Sequence, residues 1–276
     1  MTGLKDSRTR GEWVLETARV LAHTGEGDLR KLVLQAPEIA RRAVAGQFVQ
    51  VHPMPRPLAG ADPLLRRPLS FCEIRPREGI ITLMYRVVGK GTRILAAARP
   101  GDELDLLGPL GHSFPDPRAG RGRLVLVGGG LGIPPLVAAA HWAREYREVE
   151  AVIGAPTRFY LAGAEELRAA GVPVTAVTED GSEGARGLVT EPLQRLLEEG
   201  RVGEVWACGP EAMLAAVKEL CAAASVPCFV SVAKHMACGF GACLGCTIPR
   251  AGAPGYLKTC QDGPVFAAEE VVLRGC

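Results

Sequence analysis

The residues whose types and spacing speak most directly of chemistry are four cysteines near the C-terminus. Cys238, Cys243, Cys246 and Cys260 stand in CGFGACLGC and TCQDG, giving the spacing C-x4-C-x2-C-x13-C. That is the plant-type 2Fe-2S pattern, in which three thiolates from one tight loop and a fourth from a later segment hold two irons. Glycines interleave with the ligands at Gly239, Gly241 and Gly245. With no Cβ there, the backbone can wrap closely and aim its N-H groups at the sulfurs. The competing readings are a structural zinc and a set of buried thiols. Zinc ribbons usually show two C-x2-C pairs, and here only Cys243 and Cys246 make one. A one-electron cluster implies electron traffic, so the upstream chain should hold whatever exchanges electrons with it.

Two stretches in the first hundred residues have that character. Arg67-Pro68-Leu69-Ser70 ends a loop and opens a strand, setting a guanidinium and a hydroxyl side by side. An arginine fork suits a pyrophosphate because it makes paired, charge-assisted hydrogen bonds. Further on, Met84-Tyr85-Arg86 is followed by Gly89-Lys90-Gly91-Thr92: an aromatic ring, a second cation and a glycine turn able to hold phosphate oxygens. Each also has a plain reading: Arg86 as a solvated edge charge, Tyr85 as sheet packing, Gly91 as a hairpin turn.

A third set lies in the middle. LVLVGGGLGIPPL reads as a buried strand, a glycine turn and a helix with proline in its first turn. Gly128, Gly129, Gly130 and Gly132 would let a dinucleotide pyrophosphate approach the backbone at a helix N-terminus, although Ile133 occupies the third glycine's place in GxGxxG. Cys208-Gly209-Pro210 ends a later strand; a buried structural thiol is the plain reading of Cys208. Thr178-Glu179-Asp180-Gly181 borders the same expected cleft. Arg158 would favour a 2'-phosphate, but a lone arginine is more often solvated, and the expectation is NAD.

The elements that must position these residues follow from pattern. GEWVLETARVLAHT, LRKLVLQAP, GQFVQVHP, RPLSFCEI, GIITLMYRVV and DELDLLGPLG are short apolar runs between Gly, Pro and Asp clusters, which suits an antiparallel barrel with ILAAARPG as a helical interruption. After a connector over 115–123, strands VEAVIGAP, VPVTAVTEDG, EVWACGP and CFVSVAK alternate with helices GLVTEPLQRLLEEG and EAMLAAVKELCAAA, the mark of a doubly wound, mostly parallel sheet. The expected division is an antiparallel β-barrel domain over 1–114, an α/β nucleotide-binding domain over 115–227 and a small 2Fe-2S domain over 228–276.

Bulk properties agree. At 276 residues with 47% hydrophobic content, about two cores can be buried. The 32 basic and 30 acidic residues are interspersed, with a net charge of +2, so nucleic acid is not an expected partner. The opening MTGLKDSRTRGEWVLE carries charges where a secretory leader needs an apolar core. The charge-free run from Leu124 to Ala143 is broken by glycines and Pro134-Pro135, so no membrane span is expected. Nine cysteines without a leader argue for a reducing cytoplasm. Cys72, Cys221, Cys228 and Cys276 are read as packing or surface thiols.

In this order the motifs resemble the ferredoxin-reductase family of flavoproteins, with RPLS as its RxxS/T flavin motif and MYRVVGKGT as its second flavin segment. The resemblance implies FAD. It puts Arg67 on the pyrophosphate, with Pro68 and Leu69 in the same motif, and Ser70 near the reactive ring edge. It implies that Met84, Tyr85 and Arg86 line the flavin, that Gly91 and Thr92 hold phosphate, and that Cys208, Gly209 and Pro210 lie beside the nicotinamide. With MACGFGACLGC and CQDGPVF added, nearly the whole chain looks like the electron-transfer subunits of class 1B dihydroorotate dehydrogenases. That resemblance implies a partner catalytic subunit carrying FMN, a heterotetramer of two of each, and electron flow from FMN through 2Fe-2S and FAD to NAD+ in pyrimidine (UMP) biosynthesis. A flavin belongs between nicotinamide and cluster because it handles both paired and single electrons. No side chain of this chain need act as acid or base. One departure stands out: Ala233-Lys234-His235 precedes Met236 where an acidic residue and an arginine are expected. Alternatives are the small reductase subunit of a sulfide dehydrogenase or of an NADH-dependent ferredoxin:NADP oxidoreductase, the latter having Asp for one cluster cysteine, and a passive iron-sulfur carrier with a non-functional nucleotide domain.

Overall fold

A computed structural model describes residues 12–56 and 62–274. The reading of no leader rests partly on the first eleven residues, and that of Cys276 on the last two; both lie outside this range. The expected barrel is present: β1 (Val14–Thr24), β2 (Leu29–Gln35), β3 (Phe48–Val51), β4 (Arg67–Arg75), β5 (Ile80–Arg86) and β6 (Glu103–Leu110) close in the order β1-β2-β5-β4-β3-β6. All six pairings are antiparallel. Alternate residues fill the interior with Val20, Leu32, Leu34, Phe71, Ile81, Leu83, Tyr85, Leu104 and Leu106. A short α1 (Pro37–Arg42) was not legible in the sequence, and the helical interruption, α2 (Lys90–Leu95), ends where ILAAARPG had placed its start. Its first turn is the glycine segment itself: Thr92 Oγ1 accepts hydrogen bonds from the Val88 and Gly89 N-H groups at 2.9 and 3.1 Å.

The second layer is a seven-stranded sheet of order β10-β9-β8-β7-β11-β12-β15. It comprises β7 (Arg123–Gly129), β8 (Val149–Ala155), β9 (Val174–Thr178), β10 (Ala185–Arg186), β11 (Val202–Cys208) and β12 (Cys228–Ser231), with helices α3 (Ile133–Ala143), α4 (Ala164–Ala169), α5 (Thr190–Glu198) and α6 (Glu211–Ala223). These strands run parallel to their neighbours. Beyond a small ribbon of β13 (Thr247–Pro249) and β14 (Tyr256–Lys258), β15 (Val265–Ala267) returns antiparallel to β12. The segment after the cysteine loop thus closes the edge of the nucleotide sheet, with Phe266 in its core.

Leu124 to Ala143 resolves into β7, a 3-10 turn over Gly130–Gly132, and α3. Helix α3 is apolar almost all round because it packs on barrel strand β4 as well as on β7. No described helix is long and apolar enough to cross a membrane. One buried core joins Cys72 and Phe114 to the α3 side of the sheet, and the Phe114 ring stacks on Trp206 at 4.8 Å and 7°. Barrel and sheet are therefore held as neighbours by apolar burial, with the ion pair Lys31–Glu166 at 2.7 Å alongside.

Candidate functional site

Strand β4 begins at the arginine of RPLS. The Arg67 guanidinium donates from Nη1 to the Leu65 carbonyl at 2.7 Å and lies against Gly91, where an added methyl would stand 2.3 to 2.5 Å from its atoms. The two stretches separated in sequence thus meet, and only glycine permits it. Thr92 is nearby but spends its hydroxyl on its own turn, since Oγ1 also donates to the Gly89 carbonyl at 3.1 Å. Along β5 the pleat sends neighbours to opposite faces. Met84 and Arg86 face the nucleotide sheet's side. Arg86 donates to Asp28 Oδ2 at 2.7 and 2.9 Å and covers the Tyr160 ring at 4.7 Å. Tyr85 points into the barrel, its hydroxyl 3.0 Å from His23 Nε2, and burial pushes its phenol well above the ordinary range. Its ring is therefore not on the surface that Met84 and Arg86 share.

The glycines after β7 meet the CGP after β11. An added methyl on Gly132 would sit 2.0 Å from the Cys208 carbonyl oxygen, and one on Gly209 would sit 3.1 Å from Gly129 Cα. Gly130 has φ +53, the left-handed region. Gly128 packs on Ile133 and Leu136. We expect Gly132→Ala to force α3 away from the CGP turn and to lower the unfolding midpoint by the equivalent of about 1–3 kcal/mol; a thermal melt reads it.

A cavity of ≈ 350 Å³ gathers these pieces: Pro68 and Ser70 of β4, Gly129 and Gly132, Cys208 to Pro210, and Ala233, Lys234 and Met236 on the way to the cysteines. A second cavity of ≈ 570 Å³ shares Gly129 and Pro210 with it and extends over Gly130, Gly154, Glu179 and Arg86. Glu179 borders this one, whereas Arg158 lines a separate groove between barrel and sheet. Burial pushes the Cys208 thiol up to about 11, against a hydrogen bond with Ser231 that lowers it. The folded value lies above the unfolded 9.0, so this thiol's contribution to stability is complete below about pH 9 and is lost as pH rises through about 11. The unfolding midpoint should fall across that window, and fall less in Cys208→Ala.

The cysteine loop turns on positive φ at Gly239, Gly241 and Leu244. Cys246 and Cys260 are buried, Cys238 half-buried and Cys243 exposed. The thiols gather as two pairs: Cys246 Sγ lies 3.2 Å from Cys260 Sγ, and Cys243 hydrogen-bonds Cys238 through its thiol and through its N-H at 3.4 Å. Burial raises Cys238, but N-H groups of Cys243, Phe240 and Ala242 overcome it and bring the thiol down to about 6. Burial and the adjoining Cys246 push Cys260 up to about 12. Two pairs of soft sulfurs under backbone donors fit two irons.

Phe48, Ser231 and Pro264 line the cavity without having been legible as site residues, while Lys234, part of the departure before Met236, lines it too. Lys234 is held by Glu211, the first residue of α6, at 2.6 Å. Phe48 carried a signal in hindsight, because GQFVQVHP puts two amides, Gln47 and Gln50, into an otherwise apolar run, and both are fully buried.

Comparison with known proteins gives a consistent set of relatives. The family described as iron-sulfur cluster binding domain of dihydroorotate dehydrogenase B matches residues 233–272. The electron transfer subunit of dihydroorotate dehydrogenase B (NAD+) from Bacillus caldolyticus is 42% identical over 246 residues, 88% of this chain and 92% of that protein. The same subunit from Desulforamulus reducens is 37% identical, covering 86% and 90%. Among solved structures, the NADH-dependent reduced ferredoxin-NADP oxidoreductase superposes with a TM-score of 0.81 at 29% identity over 93% of this chain and 90% of that one. The ferredoxin reductase of carbazole 1,9a-dioxygenase shares the fold, with a TM-score of 0.61 at 21% identity over 78% and 67%.

Proposed function

This chain belongs to the dihydroorotate dehydrogenase B (NAD+) electron transfer subunit family, and from that premise we propose how its own residues carry electrons between a catalytic partner and NAD+. The partner subunit holds FMN and oxidises dihydroorotate. In this reading Cys238, Cys243, Cys246 and Cys260 hold a 2Fe-2S cluster, and Arg67, with Gly91 and Thr92 beside it, takes the pyrophosphate of FAD. Pro68, Leu69 and Ser70 run along the flavin, while Met84 and Arg86 offer side chains from β5 and Tyr85 only its main chain. Gly129, Gly130 and Gly132 receive the dinucleotide backbone, and Cys208, Gly209 and Pro210 bound the nicotinamide. When bound, FAD would supply the exchange between single electrons on the cluster side and one hydride, two electrons with a proton, on the nicotinamide side.

The observation that carries the reading is the ≈ 350 Å³ cavity, because the flavin strand, both nucleotide turns and the segment leading into the cysteines all contribute to its wall. Cys208, a neutral thiol in that wall, fills space beside the cofactors and is not positioned to serve as a base at neutral pH. Glu179 in the wall of the larger cavity supports NAD over NADP, since a carboxylate repels a 2'-phosphate. The domain division we propose is 1–114, 115–227 and 228–276, with the third domain lending β12 and β15 to the sheet of the second. We assign the protein to the cytoplasm, in a heterotetramer of two subunits of each kind. The test is co-purification with the partner, identification of its flavin and an assay of dihydroorotate-dependent NAD+ reduction. A partner without FMN would remove the substrate assignment and leave the reductase class standing.

A further inference from the structure

Strand β3 touches both expected redox sites, and on the face it turns toward them the residue after Phe48 is a polar one, Gln50. Phe48 stands opposite Ser70 of β4, and Gln50 opposite Pro68, so in this antiparallel pair all four project to the same face. Phe48, Pro68 and Ser70 line the flavin-side cavity. Phe48 also lies in one buried cluster with Leu107, Leu110, Cys246 and Cys260. Gln50 is the next residue along that face and is fully buried. Its Nε2 donates to the Ala237 carbonyl, one residue before Cys238, at 3.4 Å. Gly239, at φ +83, presses so close that an added methyl would stand 2.6 Å from Gln50 Nε2. The cysteine loop is therefore moulded on this side chain from both sides of Cys238.

The second feature of Gln50 is the cost of keeping it. Its Oε1 is buried and has no hydrogen-bond partner among the described residues. A buried amide with one of its two polar ends unpaired carries a desolvation cost that an apolar side chain of the same size would not itself incur. An unsatisfied acceptor retained between two cofactor sites points to a role in holding them in register.

We propose that Gln50 is a positioning residue for electron passage between flavin and cluster: its amide clamps the Ala237-Cys238-Gly239 backbone onto the strand that faces the flavin motif, and so fixes the separation and orientation of the two centres. It acts through the loop's backbone and touches no sulfur that the structure records. Outer-shell partners of this kind are worth roughly 10- to 100-fold in metal retention or activity when removed. The proposal rests on the reading that the cavity holds FAD and the four cysteines hold the cluster.

Gln50→Met, nearly isosteric and without polar atoms, and Gln50→Asn, which keeps the amide but shortens its reach by one methylene, test it in the holoprotein. Flavin and iron content are measured first. A parent protein lacking either overturns the underlying reading; a loaded parent leaves this inference to be judged by the variants. The expected result is dye reduction by NADH within about twofold of the parent, reduction of the cluster by NADH slowed roughly 10- to 100-fold in rapid mixing, and a shifted cluster midpoint potential and paramagnetic line shape. Gln50→Met should lower the unfolding midpoint only slightly while cluster reduction falls far more than dye reduction, a disproportion that a purely structural role would not give. Cluster reduction rates, potentials and line shapes equal to the parent's in both variants would overturn the proposal. So would a lowered unfolding midpoint with dye reduction and cluster reduction falling in equal proportion.

Discussion

Cys243→Ser is expected to leave a yellow protein that still reduces dyes with NADH and shows no iron-sulfur paramagnetic signal. A serine hydroxyl is a hard, protonated donor where the site offers soft thiolates, and one lost ligand opens the shell of an iron. Cys243 is the exposed member of the set, and it is absent from the walls of both large cavities. The flavin and nucleotide sites should therefore keep their shape. The fold should survive as well, since the sheet edge after the loop is held by the β12–β15 ladder and by Phe266, which need no metal. Electron delivery from the catalytic partner to NAD+ should fall by at least about 100-fold, the upper end of what loss of a mere outer-shell partner causes. Cys246→Ser would be a poorer experiment, because that sulfur is buried with Phe48 and Leu110, and a hydroxyl there would disturb packing shared with the flavin side. Paramagnetic spectra, iron content and dye reduction on the same preparation check the prediction. Simultaneous loss of dye reduction would mean that electrons do not meet the flavin before the cluster.

How much of this was legible beforehand varies with the physics of each feature. The β-barrel and the parallel sheet follow from short apolar runs and their alternation with helices, and six runs became six strands. The glycine turn and CGP were legible as separate motifs, but not their contact, since Gly132 meeting the Cys208 carbonyl is a matter of three dimensions. Tyr85 illustrates a reading by motif that strand geometry corrects: three successive residues cannot all face one ligand, and the middle one turned inward to His23. The period of two in IITLMYR already contained that answer. Helix α2 begins four residues before ILAAARPG because Gly89-Lys90-Gly91-Thr92 is itself the helix start, with Thr92 Oγ1 bonded to the Gly89 N-H. The closing strand β15 is three residues long and pairs antiparallel with β12 from across the cysteine loop, so no local periodicity could announce it. Gln50 was passed over because a single amide in an apolar strand has no pattern, only a location.

Arg67→Ala should uncouple the two cofactors in the opposite sense, yielding a protein that keeps its cluster and loses its flavin. In the proposed site the guanidinium is held in place before any anion arrives: Nη1 donates to the Leu65 and Arg66 carbonyls at 2.7 and 3.2 Å, the group lies against Gly91, and Arg67 opens the strand whose Pro68 and Ser70 line the cavity. Little ordering entropy remains to be lost when an anion arrives, which favours binding. Hydrogen bonds to a charged partner contribute about 1.5–3 kcal/mol each, so losing a paired set, at about 3 kcal/mol or more, weakens FAD roughly 100-fold or further. Arg67→Lys should restore only part of this, because an ammonium gives a point charge in place of a planar fork. Gly91→Ala should mimic the loss with the arginine still present, since its methyl would occupy the space of the guanidinium. Cys246 and Cys260 pack on Phe48, Leu107 and Leu110, so the paramagnetic signal should persist after chemical reduction while NADH no longer elicits it. Fluorescence of FAD released on dilution measures the effect. Undiminished flavin retention in Arg67→Ala would show that the pyrophosphate binds elsewhere on the barrel.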